Sequence, residues 1–249
     1  MLPKTIDRKG LFLAWTGSDL VGITNFDPCI DGAGWLSMAR TDPAYRRQGV
    51  AIFLQKQIQS HARRKGITAL RLWTSSTNTP SIRACEKSGF RRVCEATAIS
   101  TLTRKRVKSE SLPKPQAKVP RTMIDSALRS KYLTKMNGYV GRKWQIIKLG
   151  ADVLRKLERN GELYVVDNAV FLLTEPERRF THPQSSLTIL AGPPAESLHL
   201  GKMIAGRLGA RIMSSYIPYD RYQLSVAKRL GYRRNPWGRH CYVFEKTVS

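Results

Sequence analysis

Apolar and polar positions along the first hundred residues follow two periods. Residues 11–15 and 20–26 are short runs rich in aliphatic and aromatic side chains. Between them Thr16-Gly17-Ser18-Asp19 supplies a hairpin turn. Residues 34–40 read as a further strand, entered through the loop at 28–32 and left through Thr41-Asp42-Pro43. Beyond that turn the spacing changes. Ala51, Leu54, Ile58 and Ala62 recur at steps of three and four, which predicts a helix with one apolar face. Arg63-Arg64-Lys65 suit its negative C-terminal end and Gly66 its stop, so His61 beside them reads as part of a solvated helix end. Residues 69–74 give another strand, and a short helix then runs to Gly89-Phe90.

The second half repeats this outline. Residues 123–133 and 151–160 are helix-like, with Asn160-Gly161 as a stop. Residues 162–166 and 169–173 are strands joined at Asp167-Asn168, and residues 186–191 form another. Then come a helix over 197–208, a strand over 211–217, a helix over 221–230 ending in Gly231-Tyr232, and a last strand near 241–244. Between the halves, residues 104–120 carry Arg104-Lys105-Arg106-Val107-Lys108 and three prolines with few apolar side chains. This composition predicts a solvated, extended linker. The expected organisation is a domain over 1–103, a basic linker over 104–120 and a domain over 121–249.

Charge changes this picture more than size does. Lys and Arg total 43 against 18 acids, a formal +25, of which 1–103 hold +8, 104–120 hold +5 and 121–249 hold +12. Such a chain attracts polyanions, RNA among them, without any particular site; a generally basic composition is the alternative reading. The four cysteines, Cys29, Cys85, Cys94 and Cys241, form no Cys-x-x-Cys pair and have no histidine at ligand spacing. The expectation is therefore free thiols in a reducing cytoplasm, with no metal. No apolar run reaches the length of a membrane span, and the N-terminus does not read as a secretion signal. Trp35 and Trp73 lie in strands and read as core. Trp144 and Trp237 stand among cations, where packing or base stacking is open to them.

The stretch with the most chemistry is Tyr45-Arg46-Arg47-Gln48-Gly49-Val50-Ala51, between the strand at 34–40 and the helix. The first turn of a helix has N–H groups without intrahelical acceptors, and its dipole favours an anion there. Gly49 permits close backbone approach, and Arg46 and Arg47 add donors suited to phosphate. By spacing alone the segment is a phosphate loop or an ordinary strand-to-helix turn; it lacks the Gly-Lys-Ser/Thr of a Walker loop.

Two motifs in order narrow the choice. Arg46-x-x-Gly49-x-Ala51 fits the pattern Arg/Gln-x-x-Gly-x-Gly/Ala, and Asn78 opens a short helix that ends in Gly89-Phe90. With a strand between them, the region resembles the GCN5-related N-acetyltransferase (GNAT) family. The resemblance implies an α/β (α+β) fold, here two GNAT-like mixed sheets flanked by helices, the second a degenerate copy. It implies acetyl transfer from acetyl-CoA, as substrate, to an amine by direct attack. Arg46, Arg47, Gln48, Gly49, Val50 and Ala51 would cradle the pyrophosphate. Backbone near Ala39 and Thr41 would meet the pantetheine arm in a splay between two strands, and Asn78 would hold its other side. Members often have a tyrosine four residues before the Gly-Phe glycine, as acid toward the departing thiolate. Here that position is Cys85, whose alternatives are proton donor, acyl carrier or small buried packing residue. Spacing identifies no general base.

Three departures qualify the resemblance. Only about ten residues precede Leu11, so the N-terminal copy is expected to lack the family's first strand and two helices. Where the first half has its arginine loop, the second has Gly192-Pro193-Pro194-Ala195-Glu196, which adds a carboxylate. Third, no asparagine stands at the matching place before Gly231. The alternative function is a catalytically weak GNAT-like module that binds nucleic acid or another polyanion.

Overall fold

The computed structural model describes residues 4–8, 10–103, 113–114, 119–178, 181–236 and 239–248. Along the first half run β1 (Lys4–Arg8), β2 (Leu11–Thr16), β3 (Asp19–Pro28), β4 (Gly34–Thr41), a single 3-10 turn (Pro43–Tyr45), α1 (Val50–Arg64), β5 (Ala69–Ser75), α2 (Thr79–Lys87) and β6 (Arg91–Leu102). The second half opens with α3 (Arg121–Leu128), α4 (Lys131–Lys135), β7 (Tyr139–Arg142), β8 (Gln145–Lys148) and α5 (Ala151–Arg159). It continues with β9 (Leu163–Val166), β10 (Ala169–Leu173), β11 (Gln184–Ala191), α6 (Pro194–Arg207), β12 (Ile212–Ile217), α7 (Arg221–Arg229), β13 (Arg233–Arg234) and β14 (Cys241–Thr247).

These elements form two compact units that interleave along the chain. One comprises 1–93 together with 242–249, the other 94–241. In the first unit the strand order is β1-β2-β3-β4-β5-β14, antiparallel from β1 to β4 and parallel between β4 and β5. In the second it is β6-β12-β11-β10-β9, with β11 and β12 parallel. Both units therefore share one connectivity, an antiparallel meander followed by a helical crossover to a parallel neighbour.

The C-terminal strand is built into the first unit's core. Phe244 and Val248, 1% and 4% exposed, pack with Phe12, Leu36, Leu54, Ile58 and Leu70. The Val248 amide donates to the Thr68 carbonyl at 2.8 Å. Arg71 on β5 is buried between two carboxylates, Asp31 and Glu245 of β14, the latter at 2.5 Å. Lys246 Nζ donates to the Ser88 carbonyl (2.8 Å) at the end of α2, and to Gln59 Oε1 (3.0 Å). The second unit has its own apolar core, which includes Phe171, Leu187, Met213 and Val226 and takes in Ile99 from β6.

Several expectations need correction. A strand does precede Leu11: β1 pairs with β2, Arg8 facing Leu11 in register, because five extended residues need only a tight turn at Gly10 (φ 90°) to fold back. No helix lies between them. The helix expected over 123–133 is two helices, because Ser130 stops the first and caps the second by accepting from the Leu133 amide at 3.2 Å. The β7–β8 hairpin has no counterpart in the sequence reading. His61 is half-buried and not simply part of a solvated end; its ring stands edge-on to Phe12 and Phe26, each at 5.3 Å. The helix turns it onto the sheet, one step from buried Ala62. Trp35 is core at 2% exposure, Trp73 and Trp144 are half-buried, and Trp237 lies outside the described residues. Most of the 104–120 stretch lies outside them too, although Val119 is buried and its amide donates to Glu158. Among the described residues no helix is long and apolar enough to cross a membrane.

Candidate functional site

In the first unit β4 and β5 begin as parallel neighbours and then part. Their ladder consists of two residue pairs, Gly34↔Leu70 and Trp35↔Arg71, although β4 continues to Thr41 and β5 to Ser75. The departure coincides with a bulge. Between the Asn25↔Ser37 and Ile23↔Arg40 pairs β4 carries one more residue than β3, and Met38 there adopts φ 57°. Met38, Ala39 and Arg40 are exposed and Thr41 half-buried, so the bulge exposes the strand where it leaves β5. A crevice beyond the carboxyl ends of parallel strands is where open α/β sheets bind ligands.

The loop that leaves β4 is fixed at several points. Asp42 Oδ1 accepts from the Ala44 amide (2.8 Å), and Tyr45 Oη donates to Asp19 Oδ2 (2.7 Å). Gln48 Nε2 donates to the Ala44 carbonyl (3.1 Å). Arg47 and Gly49 both have left-handed backbones, φ 63° and 84°. Arg46, Arg47, Gln48 and Gly49 are all exposed. A Cβ on Gly49 would meet nothing within 4 Å, so the space in front of the helix start is open. Val50 is buried, Ala51 half-buried, and α1 begins directly after Gly49.

Gly22 on β3 governs how close the helix comes, and the sequence reading did not single it out. A Cβ there would lie 2.6 Å from Val50 Cγ1 and 3.1 Å from Leu54 Cδ1. The absence of a side chain seats the first turn of α1 against the sheet. A lone glycine inside an apolar strand was the available signal.

Asn78 stands at the end of the β5 segment, exposed, and caps α2 by accepting from the Ser81 amide through Oδ1 at 3.3 Å. The β4–α1 loop and Asn78 thus follow the carboxyl ends of adjacent parallel strands. Cys85 is placed differently. It lies on the inner face of α2, 2% exposed within the core, and burial pushes its thiol from 9.0 up to about 11.

Above pH about 9 the unfolded thiol ionises while the folded one keeps its proton, so the folded state loses stability as pH rises toward 11. Replacement by alanine should flatten this part of the pH–stability curve. It should cost about 1–2 kcal/mol at neutral pH through the small cavity left behind, as read by denaturant unfolding.

In the second unit the corresponding loop is closed. Gly192 (φ 84°) is packed so tightly that a Cβ would sit 1.8 Å from the Asn168 carbonyl oxygen. Pro193 and Pro194, at the start of α6, contribute no N–H, and Glu196 occupies the first turn. Where β11 and β12 part beyond Leu187↔Ser215, the Tyr216 ring packs on Gly141 and the Thr188 hydroxyl donates to the Gly141 carbonyl. Among the described residues no group of three or more His, Cys, Asp or Glu could hold a metal ion.

Residues 3–90 match the model of the acetyltransferase (GNAT) family. No curated protein sequence matches the chain. Solved structures resemble it over nearly its whole length. A GCN5-related N-acetyltransferase from Sphaerobacter thermophilus is 11% identical, with 98% of this chain and 82% of that one covered at a TM-score of 0.57. A protein of Thermoplasma acidophilum described as a candidate acetyltransferase is 15% identical over 96% of this chain and 78% of its own, at 0.57. A third, from Pyrococcus horikoshii and described in the same way, is 18% identical over 96% and 74%, at 0.54. The chain has a GNAT-like mixed α/β fold, and its N-terminal unit contains the segment that carries the family's pattern.

Proposed function

We propose that the protein is an N-acetyltransferase that moves an acetyl group from acetyl-CoA to an amine, using the crevice of its first unit. The observation that supports this most is the conjunction at Gly49: an exposed left-handed glycine with open space before it, opening a helix, flanked by two exposed arginines. The amides of the first turn of α1, with Arg46, Arg47 and Gln48, bind the pyrophosphate. The bulged edge of β4 at Ala39 to Thr41 meets the pantetheine arm, and Asn78 bounds it from the end of β5. The neutral amine attacks the thioester carbonyl, the developing oxyanion is stabilised by backbone N–H groups, the C–S bond breaks to release coenzyme A as a thiolate, and the surplus amine proton passes to water. Burial favours a packing role for Cys85 over acyl carriage, since the thiolate is the nucleophile and this thiol holds its proton. The four cysteines are free and buried, which suits a reducing cytoplasm.

The second unit is read as a degenerate copy that shares the connectivity without the site. Its loop lacks two amides, adds Glu196 and is packed against Asn168. Calorimetric titration should therefore show one acetyl-CoA per chain at micromolar-scale affinity. A thiol-release assay across a panel of amines should then find an acceptor, with Cys85→Ala turning over as the parent does. No binding at all would end the enzymatic reading. Two sites per chain would end the degenerate-copy reading, and loss of turnover in Cys85→Ala would return that thiol to the mechanism.

A further inference from the structure

The second unit carries a concentration of unpaired cations that the acetyltransferase reading does not use. It is centred on the last residues of β6. Arg233 and Arg234 of β13 pair in register with Ser100 and Ile99. The Thr101 hydroxyl donates to the Gly231 carbonyl at 3.1 Å, and Gly231 follows the last turn of α7, which ends in Lys228 and Arg229. The Thr103 amide donates to the Arg211 carbonyl at 3.0 Å. Five residues of strand span roughly 13–17 Å, so Arg211, Lys228, Arg229, Arg233 and Arg234 converge on one end of this sheet. All five are exposed. None forms an ion pair among the described residues, and the carboxylate on the adjoining segment, Glu177, is engaged by Lys143 at 3.4 Å.

Like charges at this density repel one another, and among the described residues no carboxylate forms an ion pair with any of the five. The arrangement is accounted for by a polyanionic partner. Four of the five are arginines, whose forked donors match phosphate oxygens two at a time. A lipid surface fits less well. Membrane-lying faces set several apolar side chains among their cations, and among the described residues the large exposed apolar side chain here is Leu102, at 71%. The exposed aromatics described in this unit, Tyr219 and Tyr222, stand at the opposite end of α7.

We infer that this end of the second unit's sheet docks the phosphate backbone of a nucleic acid, without reading its bases. This gives the second unit a binding task of its own, independent of the acetyl-CoA site.

The test uses the full chain and fluorescein-labelled 20-base-pair duplexes, one RNA and one DNA of the same sequence, followed by anisotropy across a potassium chloride series. Each phosphate contact contributes about 0.9 to the slope of log K against log salt. The triple variant Arg211→Ala, Arg233→Ala, Arg234→Ala should lower that slope by about 2–3 and weaken binding at least roughly tenfold at intermediate salt. Its melting temperature should stay within about 2 °C of the parent, as for surface substitutions. A matched triple on exposed positions of α1 and its C-cap, Lys56→Ala, Arg64→Ala, Lys65→Ala, removes the same charge and should leave the slope unchanged. Binding to either duplex with this pattern supports the inference, and the two duplexes identify which nucleic acid is preferred. Equal slope losses in both triples would overturn it in favour of diffuse attraction by the +25 chain. A patch triple that loses sedimentation with phosphatidylserine vesicles but keeps duplex binding would overturn it in favour of a lipid face.

Discussion

Gly49→Glu is expected to abolish acetyl-CoA binding, with Kd rising at least roughly a hundredfold, while the fold survives. Two costs combine. A residue with a Cβ at φ 84° is strained by about 1–2 kcal/mol. The new carboxylate would stand where the diphosphate is proposed to lie, and like charges there repel. Nothing lies within 4 Å of the added Cβ, so the side chain projects into the crevice and not into the protein. Gly49→Ala separates the two costs. It retains the backbone strain without the charge, and about 1 kcal/mol corresponds to roughly a fivefold weakening. Calorimetric titration of the two variants beside the parent decides the matter. Equal binding by all three would remove the loop from the site, since no pyrophosphate held on those amides could ignore a carboxylate among them.

Removal of the last strand is expected to unfold the first unit. A chain ending at His240 loses Phe244 and Val248 from the first unit's core, along with the Lys246 contact to the end of α2. It also removes one of the two carboxylates that hold a buried guanidinium. Arg71 keeps Asp31 but loses Glu245, whose side chain is 21% exposed. Losing a hydrogen bond to a charged group costs about 1.5–3 kcal/mol, and truncating a buried phenylalanine costs about 3–5 kcal/mol. Together these approach the whole stability of a domain, about 5–15 kcal/mol. The truncated chain should show no acetyl-CoA binding, and amides of β2 to β5 should exchange with solvent in minutes. The milder Phe244→Ala should lower Tm by roughly 6–20 °C, at 2–4 °C per kcal/mol for a protein of this size. A truncated chain with parental melting and binding would show that 1–93 stand alone.

Much of the local structure was legible because it is set by local physics. The change from a period of two to one of three and four at Ala51 locates α1, and Asp167-Asn168 locates the β9–β10 turn, where Asp167 takes φ 48°. The loop proposed to hold the anion has a local pattern of the same kind. Gly49 and the preceding arginines lie within a few residues of one another, so spacing alone places them at a helix start. The β7–β8 hairpin was readable in principle, since Asn137-Gly138 and the run after it carry turn and strand signals. The positive φ of Lys143 at its tip is what obscured it.

What the sequence alone determined here is most of the elements and the local layout of strand, glycine loop and helix on which the diphosphate site is proposed. The tertiary structure decided which strand completes which sheet. The division into 1–103, 104–120 and 121–249 is drawn along the chain, whereas residues 242–249 close the sheet built from 1–93 and residues 97–102 pair with β12. An apolar strand has the same pattern whichever sheet it joins, because alternation encodes the faces of a strand and not its neighbours. Partners such as Asp31, Arg71 and Glu245, up to 174 residues apart, meet only after the chain has folded.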